Sequence, residues 1–236
     1  MWYWNQNYFE GLREVAETYA HRPNFKLFSK YCRLKEEGHK KAANAESVKF
    51  VMHTSELPLE QRREIAAELA ELGCLRPSIH SLINHPIEQF VRDTLKKWVA
   101  DEPDSLLANR FYAFHGGGQE FLEIALRIKP DDQISLVRLS YWMIDDVDYM
   151  VHHLDEGVFL GEEHDAKAML TRVAKMIEKV QHETTRDNLL EEHRSNTNKV
   201  NLWSDYKQAG TSKSFPNWAS EKGFDFHFPQ KFYYQK

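Results

Sequence analysis

The chain is 236 residues long, 42% hydrophobic, 13% aromatic and 28% charged, which is enough apolar mass for a packed core and too much for a disordered polymer. Its formal net charge of −5 argues against a general nucleic-acid binder, which meets phosphates with a basic face. The only two cysteines, Cys32 and Cys74, exclude a disulfide scaffold and predict reduced thiols and a cytoplasmic location; the start lacks the basic and apolar regions of a secretory leader, and no window holds the ~18 uncharged apolar residues of a membrane span.

Apolar residues recur every three or four positions nearly throughout, which predicts helices. Trp4, Tyr8, Leu12, Val15 and Tyr19 share one face of a first helix that Pro23 ends. A second helix turns Phe25, Phe28, Tyr31 and Cys32 inward and stops near Gly38. Val48, Val51 and Met52 point to a short third helix, with an extended segment as the alternative. Pro58 suits the first position of a fourth helix. That helix buries Leu59, Ile65, Ala66, Leu69 and Leu72 and takes Gly73 as a left-handed cap. Pro86 opens the next, with the stripe Ile87, Phe90, Val91, Leu95 and Trp98. Asp101-Glu102-Pro103-Asp104 breaks it, and Asp104 or Ser105 caps a helix burying Leu107, Phe111 and Phe114, which ends at Gly116-Gly117-Gly118.

A helix with Phe121, Leu122, Ala125, Leu126 and Ile128 then runs to Pro130. Asp131 or Asp132 caps a long helix with Ile134, Val137, Tyr141, Ile144 and Val151 inward. A loop over 157–161 precedes the stripe Ala166, Met169, Leu170, Val173, Met176, Ile177 and Val180. Residues 183–209 are polar, with anchors at Leu189, Leu190, Val200, Leu202, Trp203 and Tyr206, as in a helix lying on the surface. The aromatics that follow, Phe215, Trp218, Phe224, Phe226, Phe228, Phe232, Tyr233 and Tyr234, lack helical spacing. The expectation is an all-α protein: one domain over 1–210 of eight to ten antiparallel helices, and an irregular aromatic tail over 211–236 packed back on it.

The stretch from Pro103-Asp104 to Arg110-Phe111-Tyr112 is echoed from Pro130-Asp131 to Arg138-Leu139. Leu107, Tyr112, Gly118, Ala125, Leu126 and Pro130 hold places comparable to those of a tetratricopeptide hairpin, so residues 100–180 resemble the tetratricopeptide-like superfamily. The two Pro-Asp starts are 27 residues apart against the family's usual ~34, and an extra loop at 155–163 interrupts the second copy, so no peptide-clamp residue carries over. The resemblance implies a right-handed array of stacked antiparallel hairpins with a concave, partner-binding surface. Arg110 and Arg138 occupy matching places and are candidates to grip a carboxylate there; packing at the core edge, or pairing with Asp104 and Asp132, is the alternative.

Residues 131–165 carry ten acidic side chains against one base, Arg138, whereas residues 195–236 carry six lysines against three acids. Helix caps and a solvated face account for part of that acidity. Asp145, Asp146, Asp148, Asp155 and Glu156 remain as a candidate face for a basic protein or peptide partner. The function expected is thus a non-catalytic binding module without a cofactor. Its concrete form is an acidic, immunity-type inhibitor of a basic toxin or nuclease.

Two other classes stand beside it. His152-His153, His164-Asp165 and Asp187 resemble the His, the His-Asp pair and the later Asp of the HD phosphohydrolases, which implies a metal-dependent hydrolase. Asp145, Asp148 and His152 share one helix face, and the candidate ligand set is Asp145, Asp148, His152, His164 and Asp165. The basic aromatic tail suggests single-stranded nucleic-acid binding. Remaining echoes are weaker. Glu36 and His39 form a single Glu-x-x-His. His115-Gly116-Gly117-Gly118 lacks a Gly-x-Ser-x-Gly partner. Phosphate loops, dinucleotide fingerprints and Cys-x-x-Cys pairs are absent.

Overall fold

The computed structural model describes residues 7–76, 79 and 82–226; Trp4, Phe228, Phe232, Tyr233 and Tyr234 lie outside them. Helix accounts for 78% of the chain, in eleven helices with no strand among the described residues, so the all-α class holds. The chain forms two compact units, Met1–Lys129 and Pro130–Lys236.

Unit 1 begins with α1 (Asn7–Tyr19), a 3₁₀ turn at Pro23–Phe25 and α2 (Lys26–Glu36). Leu12, Val15 and Tyr19 are buried with Phe25, Phe28, Tyr31 and Cys32, as their spacing predicts. The ring centroids of Tyr19 and Phe25 lie 4.8 Å apart. Ser29 Oγ donates to the Ala16 carbonyl at 2.6 Å, which satisfies a buried hydroxyl where α1 and α2 meet.

The third helix, α3 (Lys40–Ser55), is sixteen residues long and neither short nor extended. Two of its three apolar markers point outward, Val48 at 45% and Met52 at 63% exposed, while Val51 is half-buried. Ala43, Glu46, Ser47, Phe50 and Thr54 face inward instead. The bulky Phe50 decides the rotation, because its ring joins that of Phe28 at 5.6 Å. The small polar residues beside it remain satisfied, with Thr54 Oγ1 donating to the Phe50 carbonyl at 2.7 Å.

In α4 (Leu59–Leu75) Ile65, Ala66 and Leu69 are buried. Gly73 is not the left-handed cap expected: it is not among the positive-φ glycines, and the helix continues past it to Leu75. Helix α5 (His85–Asp101) has Pro86 in its first turn and buries Ile87, Phe90, Val91 and Leu95. Arg63, itself buried, ties the two together through Asp101 Oδ2 at 3.0 Å and Glu102 Oε1 at 2.6 Å.

Ser105 caps α6 (Leu106–Tyr112), accepting from the Ala108 N–H. Leu107, expected in the core, is exposed, while Ala108, Asn109, Arg110 and Phe111 are buried. A wide turn, Ala113–Gly117, leads to α7 (Gln119–Ile128). Gly116 and Gly118 sit at φ of +115° and +114°, conformations that demand glycine. His115 Nδ1 anchors this turn to Glu88 of α5 at 2.8 Å.

Unit 2 opens with α8 (Gln133–Val151), capped by Asp132, whose Oδ2 accepts from the Ser135 N–H at 3.0 Å. Leu136, Leu139, Met143, Ile144, Val147 and Val151 are buried, while Ile134, Val137 and Tyr141 are only half-buried. The first half of α8 is apolar on several sides, so periodicity alone selects no face. Helix α9 (Glu163–Ile177) turns Ala166, Leu170, Val173 and Ile177 inward, and α10 (Glu183–Ala209) contributes Leu189, Val200, Leu202 and Trp203.

The expectation of an irregular tail is corrected over α11 (Phe215–Glu221), which is helical with Pro216 in its first turn. Phe215, Trp218 and Ala219 join a core with Val147, Val151, Leu170 and Trp203, and Phe224 and Phe226 pack against it. Only one turn, Phe215 to Trp218 and Ala219, carries helical spacing in this segment.

Candidate partner-binding groove

Beside its core stripe α8 carries Asp145 and Asp148, three residues apart and both exposed. On α10, Glu192, Ser195 and Asn196 share a face by the same i, i+3, i+4 logic. With Ile144 at its floor, these residues line a groove of about 290 Å³. One turn further along α10, Lys199 Nζ donates to Asp148 Oδ1 at 3.0 Å.

Three carboxylates thus meet one ammonium, which leaves the groove net negative. Burial of the Glu192 carboxyl, followed by the like charges of Asp145, Asp148 and Glu191, raises its pKa above the ordinary carboxylate value. Ionising Glu192 therefore costs free energy in the free protein, and a bound cation would recover it.

The other expected site residues scatter. Asp146 is half-buried. Asp155 and Glu156 lie in the 3₁₀ turn Leu154–Glu156 after α8. The Leu160 N–H donates to the Met150 carbonyl at 2.8 Å and folds the following loop back on the helix end. Arg110 is buried in unit 1, near the Phe111 ring. Arg138 in unit 2 is exposed, with its guanidinium 4.8 Å from the Trp142 ring centroid. Matching places in the sequence echo do not become matching environments.

The proposed metal set does not assemble. Among the described residues, the ligand atoms that converge within 4.8 Å of one another belong to His153, Asp155 and Glu156, none of them in the expected set. His152 Nδ1 instead meets the Tyr149 carbonyl at 2.5 Å. His164 pairs with its exposed neighbour Asp165 at 3.1 Å. The His152 and His153 rings lie against each other, centroids 3.9 Å apart, with His153 Nδ1 meeting Glu156 Oε1 at 2.7 Å. Phe215 and Trp218 are committed to the core, which removes them as a platform for stacking nucleotide bases.

Sequence reasoning missed Glu192, Ser195 and Asn196. Their shared helix face was visible, but nothing in the chain indicated that it would lie beside Asp145 and Asp148. A second groove, about 420 Å³, lies in unit 1 among Val51, Leu59, Arg62, Pro86 and Phe90 and contains none of the expected residues. No helix among the described residues is long and apolar enough to cross a membrane. The chain matches no protein-family model, and no curated protein or solved structure resembles it significantly.

Proposed function

We propose that this chain is a non-catalytic binding module whose acidic face on α8 and the turn after it receives a basic protein partner. The observation that carries this reading is the convergence of Asp145, Asp148 and Glu192 on one groove opposed by a single lysine. Asp155 and Glu156, in the 3₁₀ turn that follows α8, lie outside the groove and add to the negative charge of unit 2. A field of this sign raises the encounter rate of basic partners by one to three orders of magnitude at low salt.

In its concrete form the protein is an acidic inhibitor of immunity type, neutralising a basic toxin or nuclease in the cytoplasm. The pairs α6–α7 and α8–α9 are read as hairpins of tetratricopeptide type, the scaffold for such binding. Affinity capture from the native host supplies the partner. Association is then measured for the wild type and for the variant Asp145→Asn, Asp146→Asn, Asp148→Asn, Asp155→Asn. The expected result is an on-rate lower by about tenfold and a flatter salt dependence. An unchanged on-rate with unchanged salt dependence refutes the acidic face as the interface.

A further inference from the structure

The groove between α8 and α10 differs from an ordinary acidic surface in what lies at its wall. Asn196 is only 4% exposed, and its amide oxygen has no hydrogen-bond partner. A buried, unsatisfied acceptor is costly unless something completes it. Around it stand the carboxylates of Asp145, Asp148 and Glu192 and the hydroxyl of Ser195, above the apolar floor of Ile144. The groove therefore sets three carboxylates and an unsatisfied amide oxygen against a single ammonium, Lys199, which bonds to Asp148.

We propose that this groove is a receptor for an arginine side chain of the protein partner. The inference rests on the acidic-face reading above and narrows it to one side chain. Guanidinium is planar and carries five N–H donors in a fixed fork, which suits several acceptors spread around a slot. An ammonium places three donors about one point and satisfies fewer of them. A single metal ion fits less well, because Asp145, Asp148 and Glu192 do not form a group whose ligand atoms fall within 4.8 Å of one another. In this arrangement Glu192 and Asp145 clamp the guanidinium from α10 and α8, Asn196 Oδ1 accepts one of its N–H groups, and the aliphatic stem lies over Ile144.

The test uses the full chain at low salt with three probes: a labelled tetra-arginine peptide, a labelled tetra-lysine peptide and Mn²⁺ alone. The arginine peptide is expected to bind about tenfold more tightly than the lysine peptide and to shift the Asn196 side-chain amide resonance. Glu192→Gln and Asn196→Leu each erase the preference. The double variant Asp155→Asn, Glu156→Gln, outside the groove, weakens both peptides alike and leaves the preference intact.

Equal binding of the two peptides without a shift at Asn196 overturns the arginine receptor; if the Asp155, Glu156 variant still weakens both, the acidic face survives it. No binding of either peptide overturns both readings. Displacement of the arginine peptide by equimolar Mn²⁺, lost in Glu192→Gln, makes the groove a metal site and overturns the proposal. Should Asn196→Leu fail to fold, Glu192→Gln and the wild-type amide shift decide.

Discussion

Replacing Phe215 by Ala tests whether the C-terminal segment is part of the unit 2 core. Phe215 is 1% exposed, and its ring lies 5.6 Å from that of Trp203 and 5.5 Å from that of Tyr206, centroid to centroid. An aromatic side chain buries roughly 150–250 Å², and at about 25 cal/mol per Å² its full burial contributes on the order of 4–6 kcal/mol. The alanine methyl retains part of that, so the expected loss is about 4 kcal/mol, inside the range of core Phe→Ala substitutions. Against a typical total of ~5–15 kcal/mol for a folded domain, the loss is large. Urea unfolding followed by tryptophan emission measures it directly, since Trp203 and Trp218 belong to the same cluster. Phe215→Leu, which keeps most of the volume, should cost no more than about 1.5 kcal/mol. A loss below about 1 kcal/mol for Phe215→Ala, at unchanged denaturant slope, would show that this segment does not hold the core together.

On α3, Val48→Lys and Met52→Lys should each change stability by less than about 0.5 kcal/mol, because both side chains face solvent; Phe50→Ala on the same helix should cost about 3 kcal/mol or more, and thermal melts separate the two rotations of α3. Glu192 holds its proton to a higher pH in the folded chain than in the unfolded one, so the folded state binds more protons over the window just above the ordinary carboxylate pKa, and stability falls as pH rises through it. Glu192→Gln removes that downward slope and stabilises the protein at neutral pH relative to wild type; pH-dependent urea melts that superimpose for the two proteins would contradict the raised pKa. Burial pushes the Cys32 thiol far above its usual range, so an aqueous thiol reagent should leave Cys32 unmodified in the native protein and label it in denaturant. Peptide mass mapping reads this, and rapid native labelling of Cys32 would contradict its burial.

Much of the helical plan is local and was legible in the chain. Pro23, Pro86, Ser105 and Asp132 mark where helices start or stop because their effects involve only neighbouring backbone groups. The stripes Phe25–Phe28–Tyr31–Cys32 and Ile87–Phe90–Val91–Leu95 are buried as their 3.6-residue period requires. The acidity of Asp145 and Asp148 was equally plain. What the chain alone left undetermined is every choice that depends on a neighbour distant in sequence. Only packing decides that α3 turns Phe50 inward and leaves Val48 and Met52 in water. Likewise, Phe215 and Trp218 form a helical turn because the Trp203 cluster receives them. The groove is the clearest case. Asp145 and Glu192 are 47 residues apart, and no periodicity relates them. They line one groove because the apolar faces of α8 and α10 are buried in the same core, which brings their polar flanks side by side and sets like charges near enough to raise the Glu192 pKa.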